Sequence, residues 1–140
     1  MTLDGLYAYA EENGIPVVPF QLGEVEAMSL ITSDGRPCIG IDPDRVSSKQ
    51  DEKVKLSHEL GHAVSGAYYN VFASCDVKKK AENRANRWAF EQLVNRKDLR
   101  KAVKNGLTEV WELAEYFDVP PDVMAKICHW YKYHNMNFPS

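Results

Sequence analysis

Two histidines one helical turn apart constrain the structure and the chemistry of this chain more than any other sequence feature. Residues 58–62 read His-Glu-Leu-Gly-His. At 3.6 residues per turn, His58 and His62 share one helix face and can offer two imidazole nitrogens to a single metal ion, whereas Glu59 lies about 100° round the helix, beside that ion. Independent draws from the composition of the chain would produce this pattern roughly 0.009 times per chain. The alternative interpretation is two surface histidines with a glutamate between them.

A helix that ends near Ser65 is predicted to carry these residues. Residues 47–51 read Ser-Ser-Lys-Gln-Asp, so either serine can act as the N-cap, with a polar side chain three residues later. Gly61 lies inside this helix, where glycine costs about 1 kcal/mol relative to alanine. That cost indicates that a neighbouring backbone approaches closely at Gly61, and Ala85 and Ala89 on a second predicted helix would permit such an approach.

A catalytic zinc site needs a third protein ligand and one open position. Glu82 follows His62 by 20 residues, enough for a connection and the first turn of an antiparallel helix. Its neighbours Lys79, Lys80 and Arg84 equally suit a solvent-facing helix acid. Spacing alone therefore leaves both interpretations of Glu82 open.

The order of the predicted elements, strands first and helices afterwards, is typical of the α+β class. We expect a small three-stranded antiparallel sheet packed on the helix that carries the two histidines and on several further helices. The Ser33-Asp34-Gly35-Arg36 turn is predicted to join the last two strands as a hairpin. The predicted strands are 17–20, 27–32 and 37–41, and the further helices are 3–12, 79–94, 97–104, 108–117 and one from Pro120-Pro121 to about His134.

Composition and charge narrow the class of protein. With 140 residues, 44% hydrophobic and 26% charged, the chain has the size and make-up of one soluble domain, which we place at 1–140. No stretch approaches the 18 or so apolar residues of a membrane span, so no membrane partner is expected. The first basic residue is Arg36 and the cysteines form no CxxC pair, which favours a cytoplasmic protein. A net charge of −3 argues against direct nucleic-acid binding.

Two segments resemble the ImmA/IrrE family of metallopeptidases. Residues 58–63 read His-Glu-Leu-Gly-His-Ala and residues 81–86 read Ala-Glu-Asn-Arg-Ala-Asn, which is similar to the HELGH and ExxAN motifs of that family. Residues 34–37 are similar to the hairpin that precedes its zinc helix. Residues 92–96 read Gln-Leu-Val-Asn-Arg and depart from the Leu-Leu-Met-Pro that members often have there, so the resemblance implies neither the geometry at the end of the second helix nor a substrate subsite at that place.

The resemblance implies a zincin-like minimal metallopeptidase, a hydrolase with one Zn²⁺ per chain. It implies His58, His62 and Glu82 as the zinc ligands and Glu59 as the catalytic acid and base. The implied activity is endopeptidase cleavage of a specific protein partner, a helix-turn-helix transcriptional repressor of a prophage or mobile element. The rival hypothesis is a non-proteolytic antirepressor or toxin-like binding protein with a structural zinc. An intact Glu59 favours the peptidase, because a structural site has no use for a base.

Residues 107–140 resemble the helix-turn-helix-like helical tail of the same family. The segment is acidic, so we expect it to serve packing or substrate recognition and not binding in the major groove. Two roles stay open in the sequence. Candidates for a second donor to the reacting oxygen are Tyr68, Tyr69, His129 and His134, and candidates for carboxylate partners of the ligating histidines are Asp51 and Asp76.

Overall fold

The computed structural model describes residues 1–19, 21, 23–69 and 72–133. Helices and a small sheet occupy these residues, which confirms the predicted α+β class. The helices are α1 (Leu3–Glu12), α2 (Lys49–Ser65), α3 (Cys75–Leu93), α4 (Arg96–Lys104), α5 (Val110–Phe117) and α6 (Pro121–Tyr133), and the strands are β1 (Val17–Pro19), β2 (Ala27–Ile31) and β3 (Pro37–Ile41).

The three-stranded sheet is mixed, so the prediction of an antiparallel sheet was wrong in this respect. The strand order is β1-β3-β2. β3 pairs antiparallel with β2 and parallel with β1. The physical reason is that β3 inserts between two strands that run in opposite directions and do not pair with each other. Within the described residues, β2 is consequently an edge strand.

The hairpin between β2 and β3 turns at the predicted residues. The amide of Thr32 donates to the carbonyl oxygen of Arg36 at 2.8 Å. Gly35 has a φ of 85°, a left-handed conformation that glycine adopts without a steric penalty. β1 is described as far as Pro19, and its predicted last residue, Phe20, lies outside the described residues.

α2 has the predicted boundaries. Its N-cap is Ser48, whose hydroxyl accepts a hydrogen bond from the Asp51 amide at 3.0 Å. Gly66, with a φ of 65°, ends the helix in the left-handed conformation that favours glycine. The buried face of α2 carries Leu56 and Leu60, which belong to one apolar core with residues of α1 and β3. This packing fixes the roll of α2 and therefore the direction in which its histidines point.

α3 begins four residues before its predicted start at Lys79. The hydroxyl of Ser74 accepts a hydrogen bond from the Val77 amide at 3.3 Å, and this cap lies in what the sequence suggested was a connection. The later helices begin and end within two residues of their predicted bounds. His134, the predicted end of the last helix, lies outside the described residues.

Contacts between Cα atoms divide the chain into two compact units, Met1–Ala89 and Phe90–Ser140. The first contains the sheet and all residues of the predicted metal site. In the second, the buried Tyr131 donates from its hydroxyl to the carbonyl oxygen of Val94 at 2.6 Å. None of the described helices combines the length and apolar character that a membrane crossing requires. The single domain at 1–140 and the helix-turn-helix-like tail at 107–140 stay predictions.

Candidate metal centre

Three side chains predicted as ligands meet between α2 and α3. Nε2 of His58 lies 2.9 Å from Oε2 of Glu82, and Nε2 of His62 lies 3.0 Å from Oε1 of the same carboxylate. One ligand atom from each residue lies within 4.8 Å of the others. Ligands at the usual bond lengths of a tetrahedral zinc ion are about 3.3 Å apart. The three side chains are therefore close enough together to hold one metal ion.

Each imidazole is oriented through its second nitrogen. Nδ1 of His62 lies 2.7 Å from the carbonyl oxygen of Ala67, and Nδ1 of His58 lies 2.8 Å from Oδ1 of Asn86. Hydrogen bonds of this kind fix the ring orientation and the tautomer of a metal-binding histidine. Both rings consequently present Nε2 towards Glu82.

The hydrogen bond to Ala67 shows why this set fits a cation. A backbone carbonyl only accepts hydrogen bonds, so Nδ1 of His62 carries a hydrogen. Nε2 of His62 faces a carboxylate oxygen at 3.0 Å, and either a proton or a metal ion between these two atoms makes the contact stable. Two imidazole nitrogens and one carboxylate are a donor set that catalytic zinc sites use.

The close approach predicted at Gly61 is present. A Cβ atom at this position would lie 2.9 Å from Cα of Ala85, and nearer still to the Ala85 carbonyl oxygen. Ala85 is itself fully buried. α3 can therefore cross α2 at short range only because both positions are small, and this crossing brings Glu82 within reach of the two histidines.

Glu59 lines a cavity together with two of the three predicted ligands. This cavity of about 250 Å³ is bordered by β2 on one side and by Glu59, His62 and Glu82 on the other. Glu59 also lines an adjoining cavity of about 610 Å³, which contains His58. The carboxylate is half-buried, and it forms no hydrogen bond or ion pair with any residue in the described part of the chain. A carboxylate in this position can exchange protons with a molecule in the cleft.

Two tyrosines after α2 face the same cavity. The hydroxyl of Tyr69 donates to Oε1 of Glu82 at 2.9 Å, and this hydrogen bond, together with burial, raises the pKa of Tyr69. Burial and the negative charge of Glu59 raise the pKa of Tyr68. Both phenols therefore stay protonated at neutral pH and act as hydrogen-bond donors.

A family model described as the IrrE N-terminal-like domain, of the M78 peptidases, matches residues 10–129. The chain belongs to the ImmA/IrrE metallopeptidase family. Searches among curated proteins and among solved structures found no match. The matched range of this ImmA/IrrE metallopeptidase includes the sheet, the candidate metal-binding residues and most of α6.

Sequence reasoning missed two features of this ImmA/IrrE centre. The partners of the histidines are an amide side chain and a backbone carbonyl, and neither Asp51 nor Asp76 has that role. The position of Asn86 at the site could have been predicted from the sequence, because Asn86 lies four residues after Glu82 on the same helix face. The Ala67 carbonyl carries no sequence signal. Of the other donor candidates, His129 lies in the second unit and His134 outside the described residues.

Proposed function

We propose that this chain is a cytoplasmic zinc-dependent endopeptidase that cleaves one specific protein, a helix-turn-helix repressor of a prophage or mobile element. The observation that carries the proposal is the position of Glu59. It shares a cavity with His62 and Glu82 and has no protein partner among the described residues. A site that served only to stabilise the fold would have no use for an unpaired carboxylate at this place.

His58, His62 and Glu82 are the residues that would hold the zinc ion, one per chain. Zinc bound there supplies Lewis acidity to an oxygen of the reactants. Three protein ligands leave one coordination position for reactants, as catalytic zinc sites require. The Asn86 and Ala67 contacts hold the two rings in place and limit the reorganisation that metal binding demands.

Glu59 would act as the proton carrier of the reaction. It accepts a proton from the water molecule that attacks the peptide carbonyl carbon. It then donates that proton to the amine nitrogen as the carbon–nitrogen bond breaks. A half-buried carboxylate without a fixed partner can take both roles, because no hydrogen bond has to be broken before it binds the proton.

The shape of the cleft supports an extended peptide as the substrate. Ala27, Met28 and Ser29 of β2 line the cavity, and β2 is an edge strand of the described sheet. An edge strand offers backbone donors and acceptors to a peptide that lies alongside it. The choice of a helix-turn-helix repressor rests on the family resemblance, since family members act on proteins of that kind.

The substitution Glu59→Gln tests the proposal, because it keeps the size of the side chain and removes the base. The protein is co-expressed with a candidate repressor encoded beside its gene, and cleavage is followed by gel electrophoresis and mass spectrometry. We expect the wild type to cleave, and Glu59→Gln to retain zinc and lose cleavage by at least about 100-fold.

Glu11→Gln, on α1, is the matched control and should cleave like the wild type. Equal cleavage by the wild type and Glu59→Gln would assign the proton transfer to another group. If the wild type binds the repressor and leaves it intact, the chain is the non-proteolytic antirepressor of the rival hypothesis.

A further inference from the structure

The hydroxyl of Tyr68 is buried and has no hydrogen-bond partner within the described residues. A buried polar group that forms no hydrogen bond costs about 1–3 kcal/mol. Such groups are rare in native proteins, so a specific one calls for an explanation. Tyr68 is one of the residues that line the cavity shared by Glu59, His62 and Glu82.

The position of Tyr68 is fixed by the same turn that orients a ligand. Gly66 reverses the chain in the left-handed conformation, and the Tyr68 amide donates to the Gly66 carbonyl oxygen at 3.0 Å. The carbonyl of the intervening Ala67 accepts from His62. The ring of Tyr68 lies 6.5 Å from the imidazole of His62, tilted by 30°. The phenol is therefore held against a ligand by the backbone.

The neighbouring Tyr69 differs from Tyr68 in the hydrogen bonding of its hydroxyl. Its hydroxyl is already engaged, since it donates to Oε1 of Glu82. Two adjacent tyrosines thus line one cavity, and the hydroxyl of Tyr68 is the one without an acceptor among the described residues. Tyr69 is a positioning residue for the carboxylate.

We propose that Tyr68 donates a hydrogen bond to the carbonyl oxygen of the peptide bond that is cleaved. The inference rests on the proposed function. When water adds to the carbonyl carbon, the electron pair of the double bond moves to this oxygen and Glu59 takes one proton from the water. The hydrogen bond from Tyr68 strengthens as the oxygen becomes negative. When the carbon–nitrogen bond breaks, the electron pair on the oxygen forms the carbon–oxygen double bond again, and Glu59 gives its proton to the amine nitrogen.

The test uses a probe that binds without being cleaved. The full chain is loaded with Co²⁺, whose visible spectrum reports on the site, and is titrated with a phosphinic analogue of the dipeptide Ala-Ala. Its tetrahedral phosphinate resembles the species that forms when water adds. Tyr68→Phe removes only the hydroxyl, and Tyr69→Phe is the matched control.

We expect Tyr68→Phe to bind Co²⁺ like the wild type. Its affinity for the phosphinate should fall about 10- to 100-fold, in line with the loss of one such donor. Tyr69→Phe should weaken Co²⁺ binding and leave phosphinate affinity of the loaded protein within about threefold. Because the lost hydroxyl has no partner, thermal unfolding of Tyr68→Phe should occur at or above the wild-type temperature.

Unchanged phosphinate affinity in Tyr68→Phe, or a wild type that binds no phosphinate, overturns the proposal. A lower unfolding temperature or weaker Co²⁺ binding in Tyr68→Phe also overturns it, since the hydroxyl would then have a structural role. The titration needs no protein substrate, so these outcomes are distinct from a failure to cleave the repressor.

Discussion

The carbonyl oxygen of Ala67 holds the ring of His62, five residues earlier in the chain, at 2.7 Å from Nδ1. This partner belongs to the backbone, so no side-chain substitution at position 67 removes it directly. The equivalent partner of His58 is the side chain of Asn86. The two predicted ligands of α2 are therefore oriented by contacts of different kinds, and only one of the two contacts can be deleted by a substitution.

Substitution of Asn86 tests the orienting contact. Asn86→Ala should lower zinc affinity about 10- to 100-fold, the usual effect of losing an outer partner of a ligating histidine. Asn86→Asp keeps an acceptor at the same place and should retain affinity better than Asn86→Ala. Competition with a chromogenic chelator measures both. Asn83→Ala, an exposed position on the same helix, is the control, and a loss equal to that of Asn86→Ala would refute the assignment.

Removal of Glu82 tests the third ligand. Glu82→Ala should lower zinc affinity by more than the 10- to 100-fold expected for an outer partner, because a direct bond to the metal is lost. Metal content is measured by elemental analysis after dialysis against a fixed concentration of free zinc. Asp76→Asn removes an acid from the first turn of the same helix and should keep full occupancy. Equal occupancy in Glu82→Ala and the wild type would contradict this role.

A methyl group at position 61 should separate the helices that form the centre. Alanine favours a helix over glycine by about 1 kcal/mol, so propensity alone predicts that Gly61→Ala stabilises the chain. The contact with the Ala85 backbone predicts the opposite, since backbone atoms cannot give way as a flexible side chain can. We expect a lower unfolding temperature together with weaker zinc binding.

Gly5→Ala in α1 is the matched control for Gly61→Ala, because the atoms nearest to its new Cβ, Cγ of Met1 at 2.9 Å and Oγ1 of Thr2 at 3.2 Å, belong to side chains and not to the backbone. It should be close to neutral. A Gly61→Ala variant that is more stable than the wild type and binds zinc normally would show that the helices do not need this short distance.

Tyr131 should make the second unit sensitive to alkaline pH. Burial raises the pKa of Tyr131 to about 12, above the value of about 10 in an unfolded chain. The folded state therefore binds this proton more tightly, and the resulting stability is complete below about pH 10 and is lost as pH rises towards 12. Urea unfolding at pH 8 and at pH 11 should show a larger difference for the wild type than for Tyr131→Phe.

At pH 8 the same variant should be less stable by about 1–3 kcal/mol, because the Val94 carbonyl loses its donor. Tyr133→Phe, an exposed neighbour, is the control for both measurements. Identical pH dependence in the wild type and Tyr131→Phe would mean that other groups govern the loss of stability at alkaline pH.

Local patterns were sufficient to predict the helices, apart from the start of α3, and the two histidines of the centre, whereas Glu82 followed from the family resemblance. A serine cap at 47 or 48, a helix end near Ser65 and the histidine spacing are properties of a few neighbouring residues. The close approach of a second helix at Gly61 was also predicted, from the presence of a glycine inside a helix. The parallel pairing of β1 with β3 was not readable, since it depends on which strand fills the gap between two others. The unpaired hydroxyl of Tyr68 was equally hidden, because it depends on the path of the chain after Gly66.

The open edge of the sheet also bears on how the protein behaves at high concentration. β2 is five residues long and contains neither a charge nor a proline, the features that usually protect an exposed strand from pairing with another chain. Leu30 and Ile31 are exposed near its end. An edge strand of the described sheet that can pair with a peptide, as proposed above, can equally pair with the same strand of a second molecule, so we expect self-association through β2 at high protein concentration.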